Sequence, residues 1–265
     1  MIKACVIVIS VALLLPLFVY AQSRNPTPGS VFAPKNPDVA NALDAGAAAF
    51  RAGDYEAARV SFEKVVKLAP SLAVGHLYLG TVYAALMNES EPGKAYGDSA
   101  VREFKIYLTA AASNRSALVL LGQVYWKQGA YQDALNSYRA AERQESGFDT
   151  AYAIGAVNRS ICQDMMFGKK EVVNVDETPS LVTPESCPRL RKECLPKIDE
   201  GIDYTQAALR MKPDYTDAVL EMMLLFDFRS RLQCGDKNAQ KNDHEQSLMW
   251  RRKLQEHLPD AQHDR

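Results

Sequence analysis

The sequence predicts an all-α protein, an α-solenoid of about five antiparallel helix pairs. Three observations predict it. Small residues and aromatics recur at a fixed interval: Gly46 to Gly80, Ala100 to Ala134 and Phe104 to Tyr138 are each 34 residues apart. Within a repeat the internal spacing is also kept, with 12 residues from Gly46 to Ala58 and from Gly122 to Ala134. Finally, Gly53 and Gly129 fall between the helices of a pair, where a left-handed residue ends a helix most easily without a Cβ. Self-similarity at such a period marks an array whose repeats bury their apolar faces on one another.

The small residues belong where two helices approach closely, with Phe62, Phe104 and Tyr138 filling the space beside them. This set resembles the tetratricopeptide repeat family, whose 34-residue pattern reads W-x2-L-G-x2-Y…A-x3-F…P. The third repeat matches best, through Leu121-Gly122, Tyr125, Ala134 and Tyr138. The second has His76 in the tryptophan slot, then Leu79-Gly80, Tyr83, Ala100 and Phe104. The first has Gly46, Ala58, Phe62 and Pro70, with Ala42, Ala45 and Ala49 in place of large residues. The resemblance implies a right-handed superhelix, no catalysis, and a concave groove lined by the first helix of each pair.

Taken in order, residues 1–21 read as a bacterial signal peptide: Lys3, an apolar run from Ala4 to Val19, and Val19-Tyr20-Ala21 before Gln22. An uncleaved anchor is the rival reading, weakened by Ser10 and Pro16. Residues 22–37, with Pro26, Pro28, Pro34 and Pro37, form a linker. Residues 38–148 hold three repeats, with helices at about 38–51, 55–68, 72–87, 97–111, 115–128 and 131–145. Gly80 to Ala100 is 20 residues, so the second repeat carries a polar insertion at Asn88–Gly93. Residues 149–213 form a fourth repeat, one helix at about 149–166 and its partner only near Ile198–Met211. Between them lies a Cys/Pro-rich insertion, about 164–196. Residues 214–265 form a divergent capping pair, with Val219, Met222, Met223 and Phe226 on one face and Leu248, Trp250 and Leu254 in the last helix.

The chain has 31 basic and 32 acidic residues, and no basic run that would suit a nucleic acid. Without the leader four cysteines are left: Cys162, Cys187, Cys194 and Cys234. In an exported chain they suggest two disulfides, Cys162 with Cys187 or Cys194, and Cys234 with the one left over. The histidines are scattered, with no nucleophile elbow, zinc-helix or phosphate-loop pattern. No cofactor or metal is expected. Asn88, Asn114 and Asn158 head glycosylation acceptor triplets, which matter only in a glycosylating host.

Mapped by repeat phase, the groove implied by the resemblance presents Leu43, Ala47, Phe50, Leu77, Thr81, Val119, Gln123, Trp126 and Lys127. The Lys/Asn clamp that family members use for a terminal carboxylate is missing, since Leu43 and Ala47 hold its slots. The expected function is an exported, periplasmic or secreted, non-enzymatic scaffold for a protein or peptide partner. The alternatives are a structural subunit of an envelope assembly or secretion machine and, more remotely, a hydrolase with its site in the 164–196 insertion.

Overall fold

The computed structural model describes residues 36–89, 93–168 and 182–257. The leader, most of the linker and the middle of the 164–196 insertion lie outside the described residues. Ten helices and no strand occur among the described residues: α1 Pro37–Arg51, α2 Tyr55–Leu68, α3 Ala73–Glu89, α4 Gly93–Ala110, α5 Arg115–Lys127, α6 Tyr131–Gln144, α7 Phe148–Phe167, α8 Cys187–Met211, α9 Thr216–Arg231 and α10 Lys237–His257. Within each run from α1 to α3 and from α5 to α10, consecutive helices pack on one another, as a linear array requires. The helices divide into two compact units, one ending at Glu103 and the other starting at Phe104.

Local chemistry explains the helix ends. Asn36, Asp54 and Asn114 cap α1, α2 and α5 by accepting from the backbone N–H of Asp38, Ala57 and Ala117. Gly53 and Gly129 sit at φ +78° and +73°, the left-handed geometry expected of the turns.

In the N-terminal unit, Gly46 lets α1 touch α2: a Cβ there would lie 2.7 Å from Phe62 Cε1. In the C-terminal unit the same contact returns between α5 and α6, where a Cβ on Gly122 would lie 2.9 Å from Tyr138 Cε1. Both ends of the insertion in the second repeat are helical. Instead of ending near 87 and restarting near 97, α3 runs to Glu89 and α4 starts at Gly93.

The fourth repeat departs from expectation in its second helix. α8 begins at Cys187, not near Ile198, so the end of the supposed insertion is helical. The prolines suggested a loop, but Pro188 sits in the first turn, where a missing N–H costs nothing. Pro196 is accommodated inside the helix on an exposed side. α8 packs on α7 at paired glycines: a Cβ on Gly155 would lie 3.0 Å from the Gly201 carbonyl oxygen. The main core of this region joins Met166, Leu190, Ile198, Met222, Leu225 and Phe228. Met166 and Met222 are therefore core, while Met165 is partly buried against it.

Of the two disulfides expected, the pairing that leaves Cys187 with Cys234 forms, and the bridge between Cys162 and Cys194 does not. Cys187 and Cys234 form a bridge, with Cα atoms 5.6 Å apart. Cys162 and Cys194 are free and buried. Cys162 Sγ donates to the Cys194 carbonyl oxygen at 3.6 Å, and Cys194 Sγ lies 3.7 Å from Met165 Sδ. The early start of α8 explains the pairing, because it carries Cys187 to the helix end beside the α9–α10 turn.

Candidate functional site

The first-helix residues are placed as follows. On α1 the sequence supplies two apolar stripes. Val39, Ala42 and Gly46 are buried. Leu43, Ala47 and Phe50, at the same three-to-four spacing one step round the helix, are only half-buried. Phe50 packs its ring on Tyr55, with centroids 5.1 Å apart. On α3, Leu77 and Thr81 are half-buried, and the Thr81 hydroxyl donates to the Leu77 carbonyl at 2.8 Å.

On α5, Gln123 and Trp126 are half-buried and Lys127 is exposed. Val119 is corrected: at 3% exposure it belongs to the core with Leu118, Ala134, Tyr138 and Ile154, and offers no binding surface. Trp126 is also partly committed, since its indole N–H donates to Ser160 Oγ at 3.1 Å. Arg115 pairs with Asp149. Both contacts join residues 34 apart, so one repeat length sets α5 beside α7.

Sequence reasoning missed several polar links in the C-terminal unit. Arg159 on α7 donates to Glu221 on α9 at 2.6 Å, with side chains 14% and 3% exposed. Tyr131 O–H donates to Asp164 at 3.1 Å, and burial together with that carboxylate pushes its phenol up to about 12. Asn158 is buried and donates to Glu200, so its acceptor triplet is closed in the folded chain. No periodicity signals such pairs, because charged residues on buried faces violate the pattern that makes the helices legible.

His76 fills its slot as a buried polar group. Nε2 lies 2.9 Å from the Pro70 carbonyl oxygen and Nδ1 lies 2.7 Å from Glu103 Oε2. The carbonyl can only accept, so Nε2 carries a proton.

Among the described residues the large apolar side chains that stand exposed are Val60, Leu68, Ile106, Met211, Leu248 and Met249. All six lie on second helices, α2, α4, α8 and α10. Among the described residues no group of three acidic, cysteine or histidine side chains could hold a metal ion. Nor is any described helix long and apolar enough to cross a membrane.

This geometry defines a helix-pair repeat protein. Residues 43–72 and 97–148 match models of the tetratricopeptide repeat. These two stretches carry tetratricopeptide repeats, and proteins built of such repeats are in general interaction scaffolds. Its fold is similar to that of a MamA protein, at TM-score 0.58 and 16% identity over 83% of this chain and 91% of that one. It is similar to MamA from Desulfovibrio magneticus RS-1, at TM-score 0.59 and 15% identity over 83% and 95%. It is similar to YrrB, described as a tetratricopeptide protein with an unusual peptide-binding site, at TM-score 0.55 and 17% identity over 85% and 90%. No curated protein matches the sequence.

Proposed function

We propose that the chain is an exported, non-catalytic scaffold that holds a protein or peptide segment on its first helices. In the N-terminal unit the contact residues are Leu43, Ala47, Phe50, Leu77 and Thr81; in the C-terminal unit they are Gln123, Trp126 and Lys127. The observation that carries this reading is the second apolar stripe of α1. Val39, Ala42 and Gly46 already serve the packing of α1 on α2, and Leu43, Ala47 and Phe50 are left half-open beside them. YrrB, with its peptide-binding site, supports the use of such a fold in this way. Export is supported by the leader-like residues 1–21 and by the Cys187–Cys234 bridge, a bond that persists in oxidising compartments. The test is capture from an envelope extract by residues 22–265, comparing the parent with Phe50→Ala. Truncating a buried aromatic anchor often costs about 2 kcal/mol or more, roughly thirtyfold in affinity. Loss of the captured partner with an unchanged melt supports the surface; unchanged capture contradicts it.

A second reading, a structural subunit of an envelope assembly, is favoured by one observation. Among the described residues the exposed large apolar side chains all lie on second helices. Under that reading Val60→Glu and Leu68→Glu abolish capture while Phe50→Ala does not.

A further inference from the structure

The last helix has two unlike faces. α10 buries Asp243, Ser247 and Leu254 against the protein. At 100° per residue the opposite face carries Lys241, Glu245, Leu248, Met249, Arg252 and Glu256, all exposed. A terminal helix of a repeat array ordinarily turns a polar face to water. Here Leu248 and Met249, 39% and 42% exposed, flank the middle of that face, 100° apart around the axis on either side of Glu245 and Arg252.

The charges around them are arranged symmetrically. Take the midpoint between Leu248 and Met249. Glu245 and Arg252 lie equally far from it on either side, as do Lys241 and Glu256, and each pair is of opposite sign. Such a face is complementary to itself when reversed. Laid antiparallel on a second copy, Glu245 meets Arg252, Lys241 and Glu256 come within side-chain reach, and Leu248 and Met249 each meet their own counterparts. Laid parallel, it sets Glu245 on Glu245 and Arg252 on Arg252.

We propose that the outer face of α10 is a self-association surface, on which α10 of a second copy docks antiparallel about a two-fold axis between Leu248 and Met249. In such an isologous contact every ion pair is made twice. The ion pair already present on this face, Lys241 with Glu245 at 3.8 Å, has side chains 77% and 62% exposed. An exposed intrahelical pair of this kind contributes little and competes weakly. Two large apolar side chains per copy make a small interface, so the dimer is weak, with a dissociation constant on the order of 100 µM.

The test is sedimentation velocity of residues 22–265 with the Cys187–Cys234 bridge intact. The mass is expected to move from monomer toward dimer as concentration rises through that range, and to fall back in high salt. Glu245→Arg and Arg252→Glu each place like charges together twice, and each is expected to weaken the dimer at least about tenfold. The double variant E245R/R252E restores opposite signs and is expected to regain the parent's dissociation constant. L248E/M249E is expected to remove association while leaving the helical signal unchanged. A monomer at every concentration overturns the proposal. So does a dimer indifferent to L248E/M249E, or single reversals that the double variant does not rescue. A monomer that binds neutral phosphatidylcholine vesicles through this face overturns it in favour of a lipid surface.

Discussion

Gly122 lies against the ring of Tyr138, so close that a Cβ there would fall 2.9 Å from Cε1 and 3.0 Å from Cδ1. Tyr138 is 1% exposed and Ala134 and Ala141 beside it are fully buried, so the ring has nowhere to move. Gly122→Leu is therefore expected to destabilise the protein by about 1–3 kcal/mol or more, through forced overpacking. Urea melts of variant and parent should separate clearly. Gly46→Leu, at the equivalent contact with Phe62, should behave alike.

The His76–Glu103 pair gives a second prediction. Each side chain is less than a tenth exposed, and the imidazole also spends a nitrogen on the Pro70 carbonyl. Glu103→Ala leaves a buried ring nitrogen without its partner, at a cost of about 1–3 kcal/mol. His76→Phe with Glu103→Leu removes both polar partners at once and should cost much less than the single change. Melts in which the double variant is no more stable than Glu103→Ala would contradict the pairing.

Cysteine chemistry gives a third. Titration of residues 22–265 in denaturant without reductant should find two free thiols, at Cys162 and Cys194, with Cys187 and Cys234 joined. In the native protein neither should alkylate readily. Both are buried, and the neighbouring Cys194 sulfur, reinforced by burial, holds the Cys162 thiol above its ordinary range. The bridge closes a separation of 47 residues, so Cys187→Ser should cost about 2–4 kcal/mol in the chain-entropy view. Four free thiols would remove the bridge.

Export gives a fourth. Amino-terminal sequencing of protein recovered from the host envelope should begin at Gln22, and an intact Met1 would contradict cleavage of residues 1–21.

The helix pairs were legible because glycines, alanines and aromatics sit where helices touch, and those contacts repeat with the chain. Gly46 with Phe62 and Gly122 with Tyr138 were readable from spacing alone. The start of α8 was not. Proline at a first turn and proline on an exposed helical side look the same in sequence as proline in a loop, and only the packing of Leu190 and Cys194 decides it. Val119 was misplaced because phase fixes which side of a helix a residue takes, not how far the adjoining helices close over it. The Arg159–Glu221 and Tyr131–Asp164 links were invisible because each joins residues from different helices at no repeating interval.

The central claim is that a partner segment lies on the first helices. Photo-crosslinking in the envelope tests it most directly, with a photoreactive side chain placed at Leu43 or Gln123 and, as control, at Lys64 on α2. Crosslinks from Leu43, weakened by Phe50→Ala, and crosslinks from Gln123, with none from Lys64, are the predicted result. Crosslinks from Lys64 alone, or none from either first-helix position, would contradict it.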